Sequence, residues 1–411
     1  MGAHHDARPT RHPTEPCRRA AHRDPVDRGR LTVHTTPDPT SAPVPPNASP
    51  PSSGPPRPRA IAIVTAAVAA GVVAVAGLLA IPAPRGLAEP TGDAALIDAL
   101  APALAGHHVV AAVLVDGAGT RHAGFGADES HEFEIGSVTK TVTASLLADA
   151  VERGEVTLDT TVADLVGERA SGSPAADVTL RELASHTSGL PRLDATTTAA
   201  SIVPGILRHD PYSLAPDEVV DAALAEQLTT RGTVAYSNLG SALLGQLLAE
   251  RAGVPFEKLA AERFVAPLGL GATRFPTTPA ELGPGAPTGA NEARQSAGAW
   301  TMRGYAPAGC ARSTTADLAI VLRAAMSGEL PGQEPFEAVA PVGEGTEVGL
   351  AWFRTSLDDG RNVVWHNGMT GGFASFVGYV EGEERGIAIL TDTAASVDEV
   401  AFGILEGSVP A

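Results

Sequence analysis

Phe133-Glu134-Ile135-Gly136-Ser137-Val138-Thr139-Lys140 reads as a short buried strand or turn that runs into a helix start. Ser137 and Lys140 stand three apart, so on a helix they share a face. A serine hydroxyl is a weak nucleophile until a base takes its proton, and an amine one helical turn away serves when it is neutral. The lysine itself is the odd residue. Lys and Arg total 29, and only Lys140 and Lys258 are lysines. Arginine keeps its proton at any usable pH, whereas a desolvated lysine gives it up. A chain that uses arginine almost everywhere and keeps lysine here points to a proton that must come off. The bland alternative is a capped helix with a solvated lysine. A chance Ser-x-x-Lys arises on the order of one time in ten in such a composition, so the motif needs company.

Length and charge narrow the field. The 411 residues call for two domains, or one large one with tails. The net charge of −18 is uneven, because residues 1–59 carry nine Arg and five Asp/Glu (+4), which leaves −22 for the rest. An acidic main body argues against a nucleic-acid partner, since phosphate binding needs a positive surface. Cys17 and Cys310 are the only cysteines, too few for a disulfide framework or a cysteine zinc site, and no metal or cofactor is expected.

Residues 1–59 are rich in Pro, Arg, His, Ser and Thr and read as a disordered tail. Residues 60–83 hold no charge at all. At about 1.5 Å per residue such a run spans a bilayer core of roughly 30 Å. Arg57 and Arg59 precede it, which places the tail in the cytoplasm and everything after Arg85 outside. The expectation is a single-pass cell-membrane protein with its catalytic domain outside the cytoplasm. The rival is a long-headed secretory signal cleaved at Gly86-Leu87-Ala88, with a secreted product. Residues 84–94 read as a linker and 406–411 as a tail.

The globular part, 95–405, changes character along its length. Residues 95–105 have helical spacing. Val109–Val115 is a buried apolar run, Asp116-Gly117 a hairpin signal, and Thr120–Gly124 a second strand. The helix after Ser137 carries Val142, Leu146, Leu147, Ala150 and Val151 and stops at Gly154. Helices joined by Gly/Pro loops then follow to about 345, among them Val178–Ser185, Asp217–Gln227, Leu239–Arg251 and Asp317–Met326. Pro276–Gly309 lacks a clear period. Glu347–Phe353, Asn362–Trp365, Phe373–Val380 and Gly386–Thr391 read as strands, and Ser396–Leu405 as a closing helix. Strands at both ends with helices between predict an α+β fold, one antiparallel sheet built from both chain ends with an inserted all-helical region.

Two further motifs join the first. Tyr236-Ser237-Asn238 precedes the Leu239 helix, and a phenol near an amine passes protons while a carboxamide holds a substrate amide. The bland alternative is a buried tyrosine followed by a helix cap. His366-Asn367-Gly368-Met369-Thr370-Gly371-Gly372-Phe373 follows a strand, and its glycines let backbone approach a ligand closely.

The order and spacing of Ser137-Val138-Thr139-Lys140, Tyr236-Ser237-Asn238 and His366-Asn367-Gly368 resemble the three motifs of penicillin-recognising serine hydrolases. The likeness is to the branch holding class C β-lactamases, D-alanyl-D-alanine carboxypeptidases and β-lactamase-like esterases. Leu183–Leu190, Ala235–Gly245 and Ala308–Leu318 add to it, and it covers roughly residues 95–405. The resemblance implies a β-lactamase/transpeptidase-like fold and Ser137 as the acylated nucleophile. Lys140 and Tyr236 would be the catalytic partners, with the acylation base left open between them. Asn238 would bind the substrate amide, and the backbone N–H groups of Ser137 and Met369 would hold an oxyanion. His366, Asn367 and Gly368 would contact substrate, with Asn367 standing where a Thr or Ser binds a carboxylate. A protonated His366 is one cation able to depress the pKa of Lys140. The substrate would be a D-alanyl peptide of cell-wall type or a β-lactam. The alternatives are an esterase on small acyl esters and a non-hydrolysing receptor for a peptidoglycan-like ligand. His107 and His108 lack a metal-site pattern. His186 is expected to be packed and hydrogen-bonded, Lys258 solvated and Cys310 buried. Trp300, Tyr305 and Trp352 divide between pocket and core.

Overall fold

The computed structural model describes residues 86–331 and 337–411. The tail and the uncharged run 60–83 lie outside the described residues. Among the described residues, no helix is long and apolar enough to cross a membrane.

A nine-stranded sheet carries the fold. Its strands are β1 (Pro90–Gly92), β2 (Val110–Asp116), β3 (Gly119–Phe125), β7 (Ala340–Gly343), β8 (Thr346–Val348), β9 (Phe353–Ser356), β10 (Asn362–Met369), β11 (Ala374–Val380) and β12 (Arg385–Thr391). Their order is β1-β3-β2-β12-β11-β10-β9-β8-β7. Small pairs outside it are β4 (Phe133–Glu134) with β6 (Arg312–Ser313), and β5 (Ala290–Asn291) with β13 (Thr393–Ala394). The two ends of the chain meet at the β2–β12 pair, where Val110 faces Thr391 and Asp116 faces Arg385 in antiparallel register. The helices that matter for the site are α1 (Ala94–Leu100), α2 (Thr139–Glu152), α3 (Ile202–Leu207), α4 (Asn238–Ala252), α5 (Thr315–Ser327) and α6 (Asp398–Glu406).

Both faces of the sheet are covered, so β2 reads as a continuous apolar run rather than an alternating one. On one face Val110, Ala112, Leu114, Phe376, Ile387 and Ile389 form a core with Leu96 and Leu100 of α1 and Ile404 and Leu405 of α6. On the other, Val113, Val115, Val377, Ala388 and Leu390 join the larger core that includes α2, α4 and α5.

Several expectations need correction. The linker 84–94 is partly structured: Pro90–Gly92 pairs with Ala123–Phe125 as an edge strand, and Asp93 caps α1 by accepting from Leu96 N–H at 2.9 Å. Glu347–Phe353 is two strands, because Gly349 N–H bonds Trp352 O at 2.9 Å in a turn that places Ala351 at φ 62°. β7 had no signal, since Ala-Pro-Val-Gly does not look like a strand. The strand starting at Asn362 does not stop at Trp365 but runs on to Met369, so the histidine motif lies in β10.

Candidate active site

Ser137 sits in a 3-10 turn, Gly136–Val138, that flows into α2. The turn is pinned from three sides. β4 pairs with β6, Ile135 N–H bonds Ala311 O at 3.0 Å, and Thr139 Oγ1 donates to Gly136 O at 2.7 Å while accepting from Ala311 N–H at 3.0 Å. Lys140, one turn on, is buried. Its Nζ lies 3.0 Å from Ser137 Oγ and donates to the Ala308 carbonyl at 2.6 Å. Burial, then the positive charge of Arg192, push the amine well below the usual lysine range. The Ser-x-x-Lys pair is thus assembled, with the lysine's environment disfavouring its charged form.

Tyr236 faces the same group. Its ring lies 4.8 Å from Lys140 Nζ, and its hydroxyl hydrogen-bonds the Ser137 side chain. Burial pushes the phenol above its usual range, so it stays protonated. Burial thus moves the two candidate bases apart, Lys140 towards losing its proton and Tyr236 towards keeping it.

His366 is fully buried, and burial chiefly pushes its pKa down to about 3. Nδ1 donates to Asn367 O at 2.5 Å, which leaves Nε2 as a bare, unpartnered acceptor. A neutral His366 cannot be the cation that depresses Lys140. That cation is Arg192, whose guanidinium lies 5.2 Å from the Tyr236 ring centroid. Sequence reading missed it, because nothing in Leu190-Pro191-Arg192 marks a site residue. Its backbone places it: Arg192 O accepts from the N–H groups of Asn238 and Leu239 at 3.1 and 3.2 Å. His186 was expected to be packed and hydrogen-bonded, and it is, with its ring 4.5 Å from that of Tyr236 and Nδ1 accepting from Ser237 N–H.

Asn238 opens α4 behind the capping side chain of Ser237. Its amide nitrogen donates to Tyr212 Oη at 3.1 Å, and its buried Oδ1 has no partner, which suits a substrate N–H. Gly368 and Gly136 let β10 and the Ser137 turn touch. A Cβ on Gly368 would lie 2.0 Å from Ile135 O and 2.9 Å from Ser137 N, and one on Gly136 would lie 2.8 Å from Met369 N. Thr370 N–H bonds Phe373 O across the hairpin, so by antiparallel alternation Met369 N–H points off the other side of β10, away from β11. Ser137 N–H lies in the first turn of its helix, where no intrahelical acceptor exists. The Ser137 turn and the Met369 backbone thus meet in close contact. Asn367 does not join them. It alternates to the opposite face of β10, where Nδ2 donates to Asp398 Oδ2 at 2.7 Å.

The chain matches the beta-lactamase family over residues 95–404. It belongs to that family. Among curated members, it is 32% identical over 177 residues to "Penicillin-binding protein 4" of Amycolatopsis lactamdurans, covering 40% of this chain and 44% of the relative. It is 30% identical over 151 residues to the "D-alanyl-D-alanine-carboxypeptidase/endopeptidase AmpH" of Escherichia coli K12, covering 35% of this chain and 37% of the relative. The alignments thus span less than half the length of these beta-lactamase-family relatives. Two solved structures share the fold. A D-stereospecific amidohydrolase from Streptomyces superposes with TM-score 0.65 at 23% identity, over 76% of this chain and 98% of that one. A class C beta-lactamase from Rhodobacter sphaeroides gives 0.63 at 19%, over 77% and 99%.

A buried ionic knot supports the site of this beta-lactamase-family chain. Arg312, fully buried, donates to Glu132 at 2.7 Å, to Glu134 at 3.1 Å and to Pro287 O at 2.7 Å. Glu134 also accepts from Trp300 N–H at 3.0 Å, and burial raises its pKa to about 7. Trp300 stacks edge-on against Tyr212 beside Asn238, whereas Tyr305 is core, its hydroxyl donating to Asp194 at 2.6 Å. Trp352 packs against Tyr379. His107 hydrogen-bonds Thr391, Cys310 is buried, and Lys258 is exposed beside Glu262.

Proposed function

We propose that this protein is a serine hydrolase that forms an acyl-enzyme on Ser137, with a D-alanyl peptide of cell-wall type or a β-lactam as acyl donor. The observation that carries the reading is Lys140. A buried amine 3.0 Å from a serine hydroxyl, pushed well below the usual lysine range, has no structural use that arginine would not serve, and its chemistry is to take that proton. Ser137 Oγ attacks the carbonyl as its proton passes to Lys140 Nζ. The oxyanion is held by the N–H groups of Ser137 and Met369, and Tyr236 relays a proton to the leaving group. Water then repeats the sequence on the ester. Asn238 Oδ1 accepts the N–H of an amide substrate. The names of the curated relatives support a peptide or β-lactam donor.

A second reading rests on one observation. With Asn367 turned to Asp398 and His366 neutral, the third motif offers no cation and no hydroxyl to a substrate carboxylate. That favours an esterase on small acyl esters. Intact-mass spectrometry of the protein and its Ser137→Ala variant, after a penicillin and separately a fluorophosphonate, distinguishes the cases. A penicillin adduct lost in the variant, or rapid penicillin turnover, supports the first reading. Fluorophosphonate labelling with penicillin left intact supports the esterase. No adduct with either reagent on folded protein removes Ser137 as nucleophile.

A further inference from the structure

Helix α3 breaks the usual rule for apolar side chains. Ile202, Val203, Ile206 and Leu207 are 63, 61, 71 and 53% exposed, and the helix buries no residue. Four large apolar side chains on six residues contribute nothing to the core, and contiguous exposed apolar surface marks an interaction site. Arg208 and His209 follow directly, so the apolar tip ends on a cation and a polar ring.

The register of the sheet shows what this tip faces. One end of the sheet is the row Met369–Ala374–Thr391–Val110, across β10, β11, β12 and β2. The chain comes into the fold at this end, where Ala88 N–H bonds His108 O at 3.0 Å and His108 pairs with Asp392 at 3.3 Å. Helix α3 is tied to the same end through a run of backbone bonds. Asp392 O accepts from Ala290 N–H at 2.8 Å, Gly289 O from Ala297 N–H at 3.0 Å, and Arg208 O from Gly298 N–H at 2.6 Å. The sequence puts the uncharged run 60–83 only two residues, Pro84 and Arg85, ahead of Gly86.

Resting on the expectation that the uncharged run 60–83 is a membrane anchor, we infer that α3 is a membrane-docking element: Ile202, Val203, Ile206 and Leu207 insert into the interface of the same bilayer. The described residues start two positions after that run, and α3 lies at the end of the sheet where they start. Arg208 and His209 then sit at headgroup level. Met369 lies on the same row, so the mouth of the candidate site lies at the bilayer end of the sheet.

The test uses the full chain with Cys17→Ser in nanodiscs of phosphatidylethanolamine and phosphatidylglycerol; Cys310 is buried and stays. An environment-sensitive fluorophore is placed at Ile206→Cys. In a control protein it is placed at Val342→Cys, exposed on the far edge strand β7 near the opposite end of the sheet. The Ile206 probe is expected to shift to the blue and to lose at least about half its emission to nitroxide-labelled lipid, with the Val342 probe unchanged. In the Ile202→Asp/Ile206→Asp protein, a probe at Val203→Cys is expected to lose that quenching, with the melting curve retained. Equal quenching at Ile206 and Val342, no quenching at Ile206, or failure of the chain to enter the discs overturns the inference. A blue shift that depends on protein concentration rather than on lipid assigns the face to a second copy and also overturns it. None of these readouts depends on the identity of the acyl donor.

Discussion

At the scale of single residues, the site is a set of opposed protonation preferences. Lys140 is pushed well below the usual lysine range and Tyr236 above the usual phenol range, both chiefly by burial, with Arg192 acting on each. Below the lysine's own pKa the amine gains a proton and the base is lost, so kcat/KM is expected to fall on the acid side. Arg192→Gln removes a positive neighbour, lets Lys140 hold its proton more tightly, and is expected to move that limb to higher pH. The alkaline plateau should stay within about threefold, because Arg192 enters no proton transfer. Arg192→Lys keeps the charge and should keep the limb in place. A pH profile of kcat/KM for the three proteins decides the matter, and an unmoved limb in Arg192→Gln would remove the electrostatic role. Glu134 titrates in the opposite sense. Burial raises its pKa from 4.5 to about 7, so between those values the folded chain keeps a proton that the unfolded chain has shed. The stability tied to Glu134 is therefore greatest below about pH 4.5 and declines as pH rises towards 7. Glu134→Gln should flatten that part of the Tm-against-pH curve, and differential scanning calorimetry at pH 4.5 and pH 7.5 checks it. An unchanged slope would mean that Arg312 keeps Glu134 ionised throughout.

At the scale of elements, the contact between β10 and the Ser137 turn is the joint that makes the site. A Cβ at Gly368 meets a carbonyl oxygen at 2.0 Å, the Ser375 hydroxyl at 2.6 Å and the Ser137 nitrogen at 2.9 Å. Backbone on two sides cannot yield as a side-chain tip can. Gly368→Ala is expected to push Met369 N–H out of line with Ser137 N–H. One misplaced oxyanion donor costs about 100-fold in kcat, and local overpacking costs about 1–3 kcal/mol of stability. The rate of fluorophosphonate labelling and the Tm read the two effects separately. The same joint explains what sequence reading found and missed. The helices and strands β2, β11 and β12 announce themselves through period and apolar content, and the three motifs mark Ser137, Lys140, Tyr236 and Asn238 by chemistry. β10 was ended at Trp365, before the histidine motif, although the strand runs on to Met369 and Gly368 lets it approach the Ser137 turn. Asn367 was assigned to substrate because the motif names residues and not strand faces, and alternation sends its side chain to Asp398. Arg192 had no pattern at all. Its position depends on a backbone bond to the Tyr236 motif that no local spacing predicts.

At the scale of the whole molecule, the sheet can form only when both ends of the chain are present, and its outer face is sealed by the last helix. Val400, Ala401, Ile404 and Leu405 of α6 are at most 5% exposed and lie on Phe376, Ile387 and Ile389. Arg385 and Arg361 bond its terminal carbonyls, Ile404 O at 2.6 Å and Glu406 O at 2.7 Å, and Asp398 receives Asn367. Each buried Val, Leu or Ile is worth about 1.5–3 kcal/mol, so the helix supplies on the order of 5–10 kcal/mol before the strand residues it uncovers are counted. A domain's net stability is about 5–15 kcal/mol, of the same size. Deleting residues 396–411 is therefore expected to abolish cooperative unfolding and soluble yield together, although it removes no residue that touches Ser137. Asp398→Ala breaks the side-chain bonds to Asn367 and Ser396 and should cost about 1–3 kcal/mol, with labelling of Ser137 preserved. Thermal melts followed by circular dichroism separate the two variants. A truncated chain that still melts in one sharp transition and still labels at Ser137 would mean that β2 and β10–β12 hold together without their cover, and that α6 serves something other than the fold.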